Sequence, residues 1–308
     1  MVGLQGTRIA IGPAPVPDWA SGAVRRAGGT LVKPGDAEAL VWLWHGSDGL
    51  PEFLERAPRA RWVELASAGV DWLFREQIFQ PDRVWTCSRG IYGPNVAELA
   101  LTLLLCGYRG MRDFLRAETW LPESGSNLSG RSIGIVGGGG IGRSLVALMP
   151  PFDVRVTIVS RRGRPVAGAD ETLCIDELPG VIGDFDAVVL AAPLTDQTEK
   201  MVNSEFLERM KDDAWLINVA RGRLVDTDAL VKALRGRVIG GAGLDVTDPE
   251  PLPDGHPLWQ LQNCIITPHV ASTAEMSPKW FGNHIEENVR CFVAGSELNG
   301  VVDPRQQY

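Results

Sequence analysis

The sequence predicts an α/β protein of two domains, each built on a doubly wound parallel sheet, and three observations carry that reading. A chain of 308 residues exceeds what one hydrophobic core usually organises. Short apolar runs alternate with amphipathic segments twice over, from Thr7 to Ser88 and again after Gly130, and such alternation implies parallel pairing. Between the two series lies a long helical stretch from Asn95 to Glu118. Another, Glu275–Phe292, follows the last strand and is long enough to cross back to the first domain. The expected domains are residues 1–94 with 285–308 and residues 95–284.

In the first series Thr7–Gly12, Ala39–Trp44, Arg61–Ala66 and Arg83–Cys87 read as strands. Trp19–Ala27, Leu50–Ala57 and Val70–Glu76 read as helices, bounded by Gly, Pro and Asp. The second series places strands at Ser132–Val136, Val154–Val159, Ala187–Ala191, Ala214–Asn218, Val238–Leu244 and Cys264–Ile266. Its helices are Ile141–Met149, stopped by Pro150-Pro151, then Asn203–Met210 capped by Asn203 or Ser204, and Thr227–Leu234 capped by Asp226. The polar, Gly/Ser-rich segment Pro122–Gly130 reads as a connection.

Composition narrows the function. A formal charge of −8 disfavours nucleic acid and anionic lipid, both of which need clustered positive potential. The longest apolar run, Val96 to Cys106, contains Glu98 and Thr102 and falls short of the about 20 residues of a membrane span, so it reads as a buried helix. No basic start followed by an apolar stretch marks a signal peptide, since Pro13, Pro15, Pro17 and Asp18 interrupt the N-terminal region. Cys87, Cys106, Cys174, Cys264 and Cys291 are scattered without a C-x-x-C pair, which suits neither a disulfide framework nor a metal site and fits a reducing cytoplasm.

The strand Ser132–Val136 runs directly into Gly137-Gly138-Gly139-Gly140-Ile141-Gly142, where Gly137, Gly139 and Gly142 fill the G-x-G-x-x-G positions and a helix follows. Glycine serves there for the tight turn, for backbone approach to a pyrophosphate, and for close packing of helix on sheet, with the phosphates at the positive helix end. The second domain is therefore Rossmann-like. The next strand ends Val159-Ser160-Arg161-Arg162, and position 160 is where an NAD-preferring site carries an acid for the ribose hydroxyls. A serine followed by two arginines removes that charge and supplies donors for a 2′-phosphate, so NADP(H) is the preferred cofactor, with NAD(H) left open.

Three further segments complete the pattern: Asn218-Val219-Ala220-Arg221-Gly222-Arg223, then Gly243-Leu244-Asp245-Val246 continuing to Glu250-Pro251, and Thr267-Pro268-His269-Val270-Ala271. Their order and spacing resemble the arginine, glutamate and histidine signatures of the D-isomer-specific 2-hydroxyacid dehydrogenases, closest in appearance to glyoxylate and hydroxypyruvate reductases. With the glycine motif, Pro193-Leu194-Thr195 and Ala68-Gly69-Val70-Asp71, the resemblance covers most of the chain from about residue 60. It implies two Rossmann-like domains with the active site in the cleft between them, and Arg221, Glu250 and His269 as the catalytic triad. It also implies a homodimer, through the region Asn95–Glu118, and a D-hydroxy acid product.

Elementary chemistry supports those roles. Reducing a 2-oxo acid requires a hydride donor, a proton donor for the new alkoxide and a cation for the carboxylate and carbonyl oxygens. Histidine can give a proton near neutral pH, a neighbouring glutamate favours imidazolium and fixes the ring, and arginine stays charged. The resemblance adds Ala68 and Gly69 as backbone donors to the substrate carboxylate, Asp245 near the nicotinamide side, Val219 and Ala220 in the nicotinamide pocket, and Ala192 with Pro193 along the cofactor. Gly138 departs from the family, which has a larger apolar residue there. Trp42, Trp44 and His45 resemble the aromatic edge of the reductases, although an aromatic strand also reads as plain core. His45, His256 and His284 read as structural. The alternative to an enzyme is a cofactor-sensing, corepressor-like interaction protein of the same fold.

Overall fold

In a computed structural model, residues 6–305 are described, and the chain divides into two compact units. One comprises residues 1–92 and 273–308 and the other residues 93–272. The second boundary falls before 285 because the C-terminal helix runs unbroken from Ser277 and belongs wholly to the first unit.

Among the described residues the first unit holds a five-stranded, all-parallel sheet of order β2-β1-β3-β4-β5: β1 Arg8–Gly12, β2 Thr30–Leu31, β3 Ala39–Trp42, β4 Trp62–Leu65 and β5 Val84–Cys87. Every residue of β3 and β4 is buried, the pattern of a parallel sheet covered on both faces. Around it lie α1 Asp18–Arg26, α2 Leu50–Glu55 and α3 Asp71–Arg75. The core includes Trp42, Val63, Leu65 and Trp85.

The second unit begins with α4 Gly93–Tyr108 and α5 Met111–Arg116. Seven strands then form a second all-parallel sheet: β6 Ser132–Val136, β7 Arg155–Ser160, β8 Glu171–Cys174, β9 Ala187–Leu190, β10 Trp215–Asn218, β11 Gly241–Leu244 and β12 Cys264–Ile266. Its order, β12-β11-β10-β9-β6-β7-β8, reverses direction between β6 and β9, and ligands of open α/β sheets collect beyond the carboxyl ends of strands at such a switch point. Helices α6 Gly140–Leu148, α7 Leu178–Val181, α8 Ser204–Arg209 and α9 Thr227–Arg235 complete the unit, and α10 Ser277–Ala294 returns to the first. Asn203 and Asp226 cap α8 and α9 as the sequence suggests, their side chains accepting from the Phe206 and Ala229 amides at 3.0 and 3.1 Å.

Three details differ from the sequence reading. The stretch Asn95–Glu118 is two helices, broken where Gly110 adopts a left-handed φ of +62°. The strand expected from Val238 starts only at Gly241, because Val238 folds back on the end of α9 and donates its amide to the Ala233 carbonyl. The edge strands β2 and β8 carry too weak a pattern to stand out, one being two residues long and the other half polar. Among the described residues no helix is long and apolar enough to cross a membrane.

Candidate active site

The turn from β6 to α6 is shaped by glycine at each position the motif demands. Gly137 has φ +129°, and a β-carbon there would lie 2.4 Å from the Ala191 carbonyl oxygen, while one on Gly142 would lie 2.0 Å from that of Gly137. No side chain fits either contact, so the loop closes tightly on the sheet. At Gly139 a β-carbon would meet nothing within 4 Å, so the turn keeps open space where a pyrophosphate would approach. The first turn of α6, with Gly140, Ile141 and Gly142, has amides without helical partners at the positive helix end. These features fit a nicotinamide dinucleotide. Gly138 has room for a side chain, the methyls of Ile158 and Val166 lying 3.4 Å from its β-carbon position.

Ser160 closes β7, the strand beside β6, and is followed by the exposed Arg161 and Arg162. Two guanidiniums are not singled out in the sequence: Arg164, exposed and just past Arg162, and Arg143, just past the glycine turn, whose Nε donates to the Gly138 carbonyl at 3.2 Å. Arg143 falls one residue past the glycine motif, and that spacing was the available signal. Ala192 and Pro193 follow β9, where Thr198 Oγ1 donates to the Pro193 carbonyl at 2.8 Å.

The candidate catalytic residues stand on loops after β10, β11 and β12. Asn218, fully buried at the end of β10, accepts from the Ala220 amide at 3.1 Å and donates to the Arg221 carbonyl at 2.8 Å, which winds Val219 and Ala220 into a tight, buried turn. A β-carbon at Gly222 would lie 1.9 Å from the Thr247 carbonyl oxygen, so the Arg221 loop presses on the loop that carries Glu250. That second loop is tied down by Thr227, whose hydroxyl donates to the Asp248 carbonyl at 2.7 Å.

Glu250 Oε1 lies 2.6 Å from His269 Nδ1, and both side chains are partly open to solvent. Burial alone would raise the Glu250 pKa. The His269 hydrogen bond and charge, the Thr247 amide and the Arg221 charge outweigh it, and the carboxyl is held below its ordinary range. Glu250 is therefore a carboxylate at neutral pH, facing one imidazole nitrogen and leaving Nε2 for other work. Asp245 is 2% exposed, and its carboxylate accepts from the Thr267 hydroxyl at 2.6 Å and the Val270 and Ala271 amides at 2.9 and 3.2 Å.

Ala68, Gly69 and the aromatic edge lie in the first unit. Ala68 and Gly69 occupy the half-buried loop after β4. The aromatic edge divides: Trp42 is core, its Nε1 donating to the Gly46 carbonyl, whereas Trp44 is 56% exposed and His45 lies 6.1 Å from the Tyr92 ring. His256 caps the short turn Pro257–Gln260, accepting from the Leu258 amide at 3.3 Å, and His284 is buried against Glu64.

Residues 99–271 match the model of the D-isomer specific 2-hydroxyacid dehydrogenase NAD-binding domain. The chain belongs to that family. It is similar to the human glyoxylate reductase/hydroxypyruvate reductase, 36% identical over 227 residues that cover 68% of this chain and 67% of the relative. A glyoxylate reductase of Thermococcus kodakarensis is 33% identical over 287 residues, 89% of this chain and 84% of its own. Among solved structures, a D-isomer specific 2-hydroxyacid dehydrogenase of Xanthobacter autotrophicus in complex with NADPH and MES superposes with a TM-score of 0.84 at 29% identity, covering 98% of this chain and all of that one. The protein is thus an NAD(P)-dependent oxidoreductase of the 2-hydroxyacid dehydrogenase family, whose chemistry links a 2-hydroxy acid to its 2-oxo acid. The corepressor alternative draws no support from these relatives, which carry reductase names.

Proposed function

We propose that the protein is an NADPH-preferring reductase of small 2-oxo acids of the glyoxylate or hydroxypyruvate type, with His269 as proton donor and a D-2-hydroxy acid as product. The observation that carries this reading is the 2.6 Å pairing of His269 Nδ1 with a carboxylate, which orients the ring and leaves Nε2 to face the substrate. A reduced nicotinamide dinucleotide held with its pyrophosphate at the Gly137–Gly142 turn would supply the hydride for C2. Arg221 holds the substrate carboxylate and polarises the carbonyl with donors that remain charged. As the C2–H bond forms, the C2–O π electrons become an alkoxide, and His269 Nε2 gives up its proton to that oxygen. Glu250 fixes the ring through Nδ1 during the transfer, and solvent restores the proton afterwards. Val219 and Ala220 supply an apolar wall for the nicotinamide.

NADPH preference is supported by the absence of an acid at Ser160 and by the arginines after it. The test is reductase activity with glyoxylate and hydroxypyruvate under each reduced cofactor, for the unaltered protein and an Arg161→Ala/Arg162→Ala variant. The expected result is faster turnover with NADPH and a loss in the variant of about tenfold in NADPH affinity, the scale of one charge-assisted contact, with NADH affinity unchanged. Preference for NADH would remove the cofactor assignment, and no turnover with either would remove the reductase reading.

A further inference from the structure

His269 has a backbone φ of +53°, in the left-handed region that side-chain-bearing residues seldom adopt. Such a conformation persists only where its surroundings over-determine it. Here the chain leaves β12 with the Thr267 amide donating to the Leu244 carbonyl at 2.9 Å, turns through Pro268, and returns the His269 amide to the Asp245 carbonyl at 2.8 Å. The next two amides, Val270 and Ala271, then reach the two oxygens of the buried Asp245 carboxylate. The Thr267 hydroxyl donates to Oδ1 of the same carboxylate at 2.6 Å, shorter than either amide bond.

We propose that Thr267 is a positioning residue for the reductase reaction, fixing through Asp245 the left-handed turn that aims His269. The inference rests on the reading of His269 as proton donor. Thr267 is anchored at both ends, its amide in the sheet and its hydroxyl on Asp245. It therefore sets the rotation of a carboxylate that must offer one oxygen to each of two successive amides. Without the hydroxyl, Oδ1 keeps a single donor in a buried setting, and the carboxylate is free to turn away from the Ala271 amide. The turn then loses what holds residue 269 left-handed. Relaxation of that backbone swings the imidazole away from Glu250 and from the point of proton delivery, while the glycine turn after β6 is untouched.

The experiment compares Thr267→Val, Thr267→Ala, Thr267→Ser and His269→Gln in the full chain. It measures kcat and KM for glyoxylate, NADPH affinity by fluorescence, thermal midpoint, and the solvent deuterium isotope effect on kcat. Thr267→Val and Thr267→Ala are expected to lower kcat by about 10- to 100-fold, the scale of a misplaced catalytic group, with a much smaller change in NADPH affinity and a larger solvent isotope effect as proton delivery becomes slower. Thr267→Ser, which keeps the hydroxyl, is expected to restore most of kcat. Unchanged kcat in both hydroxyl-free variants would overturn the role of Thr267, as would parallel losses of kcat, midpoint and NADPH affinity with no change in isotope effect. An active His269→Gln would instead overturn the proton-donor reading, whereas silent Thr267 variants beside an inactive His269→Gln would leave that reading intact.

Discussion

Among the described residues, two carboxylate–imidazole pairs have surroundings that differ in almost every respect. Glu250 and His269 lie 2.6 Å apart on loops beyond the strand ends of the second unit, with side chains 40% and 50% exposed. Glu64 and His284 lie 3.3 Å apart in the first unit, on β4 and α10, with side chains 0% and 5% exposed. Glu64 Oε2 also accepts from Thr86 Oγ1 at 2.8 Å and Asn288 Nδ2 at 2.6 Å, and Thr86 in turn accepts from Trp62 Nε1 at 2.7 Å. Asn288 reaches on to the backbone of Asn299 through both its amide atoms. The buried pair thus ties β4, β5, α10 and the C-terminal segment into one polar network. The same two functional groups serve cohesion in one place and, in the proposed reaction, proton transfer in the other, and what separates them is solvent access and how many of their polar atoms are already engaged.

The largest effect expected from this contrast is on stability. Glu64→Ala leaves the His284 network without its acceptor in a fully buried setting, and breaking such a pair costs about 3–5 kcal/mol. Urea unfolding followed by tryptophan fluorescence should show that loss, while removal of the exposed Glu250 carboxylate should cost about 0–1 kcal/mol. Equal costs would collapse the distinction.

A smaller effect is the pH dependence of stability, which should carry opposite signs at the two pairs. For His284, burial alone would lower the pKa, but the Glu64 carboxyl 3.3 Å away, helped by the nearby Glu287, prevails and raises it. A folded value above the unfolded one means the contribution is full below the ordinary histidine range and is lost as pH rises through the raised value. For Glu250 the folded value is lowered, so its contribution is present above the ordinary carboxylate range and is lost as pH falls through the lowered value. Denaturant midpoints measured across pH should therefore show an alkaline decline in the unaltered protein that is missing from His284→Asn. An alkaline decline of the same size in that variant would contradict the assignment.

Much of this was legible in the sequence, for identifiable reasons. Caps at Asn203 and Asp226 and the glycine turn after β6 are local, so residue type alone declares them. Arg221, Glu250 and His269 are declared by motif spacing, and the structure brings Glu250 to His269, with the Arg221 charge felt at the carboxylate. Glu64 was not legible, because a single acid in a strand reads as a solvent-facing position and its partners His284 and Asn288 lie more than two hundred residues away. The aromatic edge was ambiguous for a related reason: Trp42 and Trp44 are alike in sequence, yet the strand ends between them and only the first enters the core. The shared grip of Thr267, Val270 and Ala271 on Asp245 depends on a backbone conformation that no spacing reveals.

The most direct test of the account is the turnover of His269→Gln with NADPH and glyoxylate, measured beside its NADPH affinity and thermal midpoint. General acid catalysis contributes about 10²- to 10⁴-fold, so kcat should fall by that factor while NADPH binding and the midpoint stay unchanged. A variant that turns over at the rate of the unaltered protein would contradict the assignment of His269 as proton donor.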